Sequence, residues 1–237
     1  MTEFNEIIAV IIGRAGSKGL PGKNARSVAG RPILAYSIED AQRATTVDRI
    51  LVSTDCPEMT RVAGEYGVSV ITRPAALATD TATVDAAVRH AITEGGSDAG
   101  AVVILYANVP VRPDGLIDRA VDHLRVTGAD SVQSYTRVGK HHPAWMVRLD
   151  DDDRVEPYET NRIYRRQDLP ALYLPDGGVI AVTRASLFTV DPEAPHAFLG
   201  SDRRGIRSDP ARVVDIDDAF DLRLAETHLE TRAGAGR

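Results

Sequence analysis

Short apolar runs alternate along the chain with longer stretches of helical period. Ile7 to Ile12 is an unbroken run of Ile, Val and Ala. Its length and composition suit a central strand buried on both faces. Arg31 to Thr45 places Ile33, Leu34, Ile38 and Ala41 at helical spacing, with Pro32 suited to a first turn. Arg49 to Ser53 predicts a second strand around Ile50-Leu51-Val52, ending in Ser53-Thr54-Asp55. Pro57 opens a helix through Tyr66 that Gly67 stops, and Val68 to Ile71 is a third strand. The pattern continues as helix Val84 to Ile92, strand Ala101 to Tyr106, helix Leu116 to Val126 and strand Ser131 to Val138. Near the end, a strand closing at about Val214 leads into a helix through Leu229. This alternation predicts an α/β fold, a mostly parallel sheet with helices on its faces. Ligands of such sheets sit beyond the carboxyl ends of the strands. The loop after the first strand and the Asp55 corner are therefore expected on the functional rim. From 139 to 172 the alternation stops.

The loop after the first strand carries the strongest chemical signal. Gly13, Gly16, Gly19 and Gly22 fall within ten residues, interleaved with Arg14, Lys18 and Lys23. Glycine lets a backbone turn tightly and approach a ligand. Free N–H groups together with fixed positive charge suit a polyphosphate. Two other phosphate loops do not fit. Gly22-Lys23 is followed by Asn24, and Ser17 stands five residues before Gly22, so the P-loop spacing fails. The spacing of Gly13, Gly16 and Gly19 does not give the Gly-x-Gly-x-x-Gly dinucleotide fingerprint. A plain glycine-rich surface turn is the competing reading, and the density of cations in the loop weakens it.

Composition narrows the class. The 237 residues fit one large α/β domain or two small ones, with 43% hydrophobic and 26% charged residues. The net charge of −6 argues against a nucleic-acid partner, since such proteins are usually basic. Cys56 is the single cysteine, so no internal disulfide framework exists, which fits a reducing compartment. No apolar run approaches the ~20 residues of a membrane span. Residues 1–6 carry no basic region or secretory apolar segment, and the expected location is cytoplasmic.

The joint string Arg14, Gly16, Ser17, Lys18, Gly19, Lys23, Asn24 resembles the signature of the acylneuraminate cytidylyltransferase family, the CMP-sialic acid synthetases and their relatives. Gly30-Arg31-Pro32-Ile33-Leu34-Ala35-Tyr36-Ser37-Ile38 continues it. Arg73-Pro74 followed by Leu77-Ala78-Thr79-Asp80 is again similar, as is the strand-like Leu174-Pro175-Asp176-Gly177-Gly178-Val179-Ile180-Ala181-Val182, with Asp176 where the family has Asn. At Tyr106 the chain departs from the family's Gln, while Pro110 and Arg112 keep their places; Tyr106-Ala107-x-x-Pro110 is nearer the pseudaminic-type branch.

The resemblance implies a three-layer α/β/α Rossmann-like nucleotidyltransferase fold in a single domain, 1–237. Residues 139–172 would be a dimerisation arm that also builds the sugar pocket. It implies transfer of CMP from CTP to a nonulosonic, sialic-acid-like sugar acid, with Mg²⁺ and a homodimer. Arg14, Lys18 and Lys23 would hold the triphosphate. Gly16, Ser17, Gly19, Asn24, Arg73, Thr79 and Thr83 would contact the nucleotide. Tyr106, Arg165, Arg166, Gln167 and Phe198 would face the sugar, Arg165 and Arg166 as guanidinium partners for its carboxylate. Asp215 and Asp217 lie two apart, so on an extended segment they face one side, and the family carries this pair as its metal site.

Each assignment has a plainer competitor. Asp80 could only cap the helix from Val84, and Asp217 or Asp218 could only cap the last helix. Tyr106 could be a packed rim aromatic, and the Arg165 region a solvated basic turn paired with Asp151 or Asp153. His141-His142 lacks the i, i+4 spacing of a helical zinc pair. As whole-protein alternatives, an enzyme using another nucleotide or sugar acid and an inactive nucleotide-binding homologue both remain.

Overall fold

The computed structural model describes residues 2–16, 20, 22–23, 26–209 and 212–235. β1 (Ile7–Ile12) runs through the middle, and none of its six residues is more than 7% exposed. Strand side chains alternate between faces. Ile7, Ala9 and Ile11 therefore enter one core, and Ile8, Val10 and Ile12 enter another. Each buried Ile contributes about 1.5–3 kcal/mol, so this strand alone explains why the sheet forms around it.

β2 (Ser27–Val28) and β3 (Arg31–Pro32) make a small hairpin over Ala29 and Gly30, both at positive φ (47° and 77°). Two central residues of that hand match the twist of a two-residue hairpin. α1 (Ile33–Arg43) consequently starts two residues later than the periodicity predicts. The regular alternation then follows as β4 (Arg49–Thr54), α2 (Pro57–Glu65), β5 (Ser69–Thr72), α3 (Val84–Glu94), β6 (Ala101–Tyr106), α4 (Leu116–Thr127) and β7 (Ser131–Arg137). Within the arm, β8 (Val147–Leu149) and β9 (Val155–Pro157) pair antiparallel. β10 (Tyr173–Thr183), the one-turn α5 (Arg184–Leu187), β11 (Arg203–Ser208) and α6 (Ala219–Ala235) complete the chain.

The main sheet has the order β11-β7-β10-β6-β1-β4-β5. All of its strands run parallel except β10, which is antiparallel to both neighbours. α1, α2 and α4 supply Leu34, Ile38, Met59, Val62, Val121 and Leu124 to one core; α3 and α5 supply Val88, Ile92 and Leu187 to the other. The three layers expected are present. A third cluster joins Leu20, Val28 and Ile33 to Val111, Val214, Ile216 and Ala225, tying the exit of the glycine-rich loop to α6.

Three differences from the pattern-based reading have physical causes. β11, Arg203-Arg204-Gly205-Ile206-Arg207-Ser208, has no apolar alternation because it is an edge strand, mostly exposed. The Val214 segment is a single antiparallel bridge to Val111, not a strand. The arm leaves β7 and re-enters β10 at adjacent points, with Arg137 opposite Tyr173 and Val138 N donating to Leu172 O at 2.9 Å.

Candidate active site

The carboxyl ends of β1, β5 and β6 border a cleft of about 200 Å³ lined by Gly13, Arg14, Lys23, Arg73, Thr79, Asp80, Thr83, Tyr106 and Asn108. Gly13 begins it. A Cβ there would stand 2.5 Å from Met59 Cε and 2.9 Å from Ala107 Cβ, so only glycine lets the loop leave β1 between α2 and the β6 end. Its N–H donates to Ser53 O at 3.2 Å. Two residues on, Ala15 N donates to Asp55 Oδ1 at 2.9 Å, so the Asp55 corner fixes the path of the loop. Arg14 forms an ion pair with Asp80 at 2.6 Å and reaches Ala78 O at 3.4 Å. Asp80 thus faces Arg14, and the cap of α3 is Thr83, whose Oγ1 accepts from Ala86 N at 3.4 Å. That bond uses the Thr83 oxygen and leaves its O–H to donate elsewhere. Thr79 and Thr81 share a hydroxyl contact at 3.2 Å.

Arg73 is 7% exposed and anchored to β4 through Ser53 Oγ (3.2 Å) and Ser53 O (2.7 Å). Burial lowers its pKa, Asp55 opposes that shift, and Arg14 adds to it. Tyr106 lies half-buried on the cleft wall; burial raises its phenol pKa and Asp215 raises it further. Ser17, Lys18, Gly19 and Asn24 lie outside the described residues.

The loop between β6 and α4, which brings Asn108 to the cleft, also holds the acidic segment. Val214 N donates to Val111 O at 3.2 Å, and Ile216 N to Asn108 O at 2.9 Å. Asn108 Nδ2 returns the contact to Ile216 O at 3.1 Å and also donates to Asp215 Oδ1. Lys23 Nζ lies 2.7 Å from Asp217 Oδ1, joining the glycine-rich loop to the acidic pair. The competing cap is resolved one residue later. Asp218 Oδ1 accepts from Phe220 N and Asp221 N (2.7 and 3.0 Å), while Asp221 Oδ2 accepts from Asp218 N at 3.1 Å. That reciprocal box starts α6, so neither Asp215 nor Asp217 is needed as its cap.

Burial first, and the Asp217 carboxylate second, raise the Asp215 pKa from 3.8 to about 6; Lys23 and Arg112 pull the other way. Although Asp215 keeps contact with solvent, the cleft walls and its acidic neighbour make the ionised form costly. Such a pair is short of positive charge. Among the described residues no cluster of three or more His, Cys, Asp or Glu could hold a metal unaided. Mg²⁺ takes only one or two carboxylates and completes its shell with phosphate oxygens and water. Asp215 and Asp217 fit an ion of that kind arriving with a nucleotide.

Other expected site residues are not brought to this cleft. Arg165 pairs with Asp168 within its own turn, Nε to Oδ2 at 2.7 Å and Nη2 to Oδ1 at 3.1 Å, and not with Asp151 or Asp153. Arg166 and Gln167 border a separate hollow of about 540 Å³ beside Arg137 and Pro170. Phe198 is a correction. It is 7% exposed in the core with Leu187 and Leu199, and Leu199 O accepts from Ser131 Oγ at 2.7 Å at the start of β7. Because β10 runs against the other strands, the chain that follows it emerges at the opposite rim. The Leu199–Ser131 bond sets Phe198 at that opposite rim, beside the start of β7.

Pattern reading missed Asn108 and the role of Arg112. Arg112 is 2% exposed and donates to Gly178 O (2.7 Å), Val109 O (2.5 Å), Ser37 Oγ (2.9 Å) and Tyr106 O (3.0 Å). Asn108 was findable, since a polar side chain just beyond a buried parallel strand sits on the rim.

Comparison with known proteins identifies the family. Residues 8–197 match the family model described as Cytidylyltransferase. The chain is 32% identical over 238 residues to the CMP-N,N'-diacetyllegionaminic acid synthase of Legionella pneumophila, covering 94% of this chain and 96% of that protein. It is 32% identical over 174 residues to the N-acylneuraminate cytidylyltransferase of Streptococcus agalactiae serotype V, covering 73% of this chain and 42% of that one. It is 30% identical over 224 residues to the Escherichia coli enzyme of that name, covering 94% and 52%. The chain thus spans about half the length of these N-acylneuraminate cytidylyltransferases. Among solved structures, a CMP:2-keto-3-deoxy-manno-octonic acid synthetase complexed with CTP superposes with a TM-score of 0.73 at 16% identity, over 96% of this chain and all of that one, and shows the same fold. With four-fifths of its length matched by the family model and an end-to-end relative at 32% identity, the chain belongs to the cytidylyltransferase family.

Proposed function

We propose that this enzyme transfers CMP from CTP to a nonulosonic acid and releases pyrophosphate. The observation that carries the reading is a cleft lined by Arg14, Lys23 and Arg73, with Lys23 reaching Asp217 of the acidic pair at 2.7 Å. A triphosphate needs fixed cations on one side and a metal-competent pair on the other. Arg14 and Lys23, with Lys18, would hold the phosphates, Lys23 exchanging Asp217 for a phosphate oxygen. Arg73, Thr79 and Thr83, with Asn24, would orient the nucleoside. The anomeric oxygen of the sugar acid then bonds to the α-phosphorus as the bond to pyrophosphate breaks, and the hydroxyl proton passes to solvent. Positioning and charge stabilisation account for the rate. Mg²⁺ on Asp215 and Asp217 would supply charge neutralisation at the transferring phosphoryl group.

The full-length relative is named for N,N'-diacetyllegionaminic acid, which makes that sugar the first to test. The single-domain reading also includes a homodimer. Val147, Leu149, Val155 and Tyr158 of the arm are all at least half exposed, and a second copy would cover them while bringing Arg165, Arg166 and Gln167 to the sugar of its partner. The proposal includes a cytoplasmic location, where CTP is supplied. The test is turnover with Mg²⁺, each of four nucleoside triphosphates and a panel of nonulosonic acids, read as pyrophosphate and nucleotide-sugar. Product from CTP alone supports the reading. Product from another nucleotide moves base recognition to the Tyr106 wall. Nucleotide binding with no product from any sugar favours an inactive homologue. Light scattering separately reads the dimer.

A further inference from the structure

We propose that Asn108 is a positioning residue for the acidic pair, tying one oxygen of Asp215 and leaving the other for a ligand. The inference deepens the reading of Asp215 and Asp217 as the metal-competent pair and rests on it. Asn108 joins two segments 107 residues apart, because its amide donates to Asp215 Oδ1 and to Ile216 O at 3.1 Å. Its own carbonyl accepts from Ile216 N at 2.9 Å. The side chain and the backbone of one residue therefore grip the acidic segment at adjacent points. With Oδ1 tied, Oδ2 turns toward Gly177. A Cβ on Gly177 would stand 3.4 Å from that oxygen, and glycine leaves it uncovered.

The grip is itself held rigid. Ser37 Oγ donates to Tyr106 O and Val109 O at 3.0 and 3.3 Å, on either side of Asn108. Arg112 reaches the same two carbonyls from the buried side, and ties them to Gly178 on β10. Loops without such ties lose orientation. Here the loop that carries Asn108 is pinned at both ends by buried donors. Groups that orient a metal-binding carboxylate typically change metal affinity by about 10–100-fold when removed.

The test is Mn²⁺ binding, followed by electron paramagnetic resonance with CTP present and no sugar acid, in Asn108→Ala, Asp215→Asn and the double variant. Asn108→Ala is expected to weaken Mn²⁺ binding about tenfold, with metal-free CTP affinity unchanged. In the Asp215→Asn background the same substitution is expected to add nothing, because the oxygen it orients is gone. A loss that persists undiminished in that background overturns the proposal, as does no loss in the single variant. If Asp215→Asn itself leaves Mn²⁺ binding unchanged, the acidic-pair reading falls and takes the proposal with it. Asn108→Ser, too short to span both partners, gives the same readout should Asn108→Ala not fold.

Discussion

The cleft and the arm both carry arginines and aspartates, yet they hold them in opposite ways. In the cleft, each charged group is fixed by chain far away in sequence. Lys23 meets Asp217, 194 residues on, Asn108 meets Asp215, and Arg14 meets Asp80. In the arm, the ion pairs are local. Arg165 pairs with Asp168 three residues later, Arg154 with Asp152, and Asp150 accepts from the N–H groups of Asp152 and Arg154. Long-range partners preorganise a site within one chain; local pairs on an exposed turn are worth little. The lesson is that the cleft's charges are placed by contacts across the fold, whereas the arm's ion pairs are placed by its own turns.

Substitutions can break or sharpen that contrast. The largest effect is expected from Phe198→Ala, which should destabilise the protein by about 3–5 kcal/mol in a denaturant titration and leave the sugar-acid KM unchanged in the folded fraction. A raised KM with unaltered stability would return Phe198 to the site. Asp215→Asn should lower kcat by about 10²–10³-fold, measured by pyrophosphate release at saturating substrates. Gly13→Ala pushes a methyl into Met59 and Ala107, and should cost about 1–3 kcal/mol of overpacking while weakening nucleotide binding. Its melting temperature and CTP affinity should fall together.

The pH dependence tests the cleft from another side. Because the folded pKa of Asp215 is raised to about 6, its contribution to stability is fully present below the ordinary carboxyl range. It is lost as pH rises through about 6. Without metal, urea unfolding of the wild type should therefore weaken between pH 4 and 7 relative to Asp215→Asn. Metal needs the ionised form, so Mg²⁺ half-saturation should rise as pH drops below about 6. Smallest of all should be Arg165→Ala on stability, within about ±0.5 kcal/mol. If the arm serves a partner's sugar site, its effect appears in the KM for the sugar acid and not in that for CTP.

How much of this was legible in the sequence depended on whether contacts were local. β1 was readable because burial on both faces writes an unbroken apolar run. α3 was readable, but the competing reading of Asp80 as its cap gives way to Thr83, and Asp80 faces Arg14. A cap is a choice among neighbours that only tertiary contacts settle. β11 was invisible because an exposed edge has no core-facing alternation to display. Phe198 was misplaced for a topological reason, since nothing in the residues of β10 announces that it runs against the sheet. Asn108 and Arg112 gave no periodic signal, for their work lies in carbonyls and carboxylates that the linear string does not bring together.

The adjacency of Arg137 and Tyr173 has a consequence for how the arm can change. β7 and β10 are neighbouring antiparallel strands, so the whole excursion 139–172 is the loop of one hairpin. The entropy of closing such a loop grows only logarithmically, by about 0.6 kcal/mol for each doubling of its length. Lengthening, shortening or replacing the excursion therefore perturbs the sheet far less than its size suggests. If the arm serves the sugar and the partner subunit as proposed, both roles can be rewritten there while the sheet keeps its fold, and a library of arm variants grafted between Val138 and Leu172 should yield mostly folded proteins.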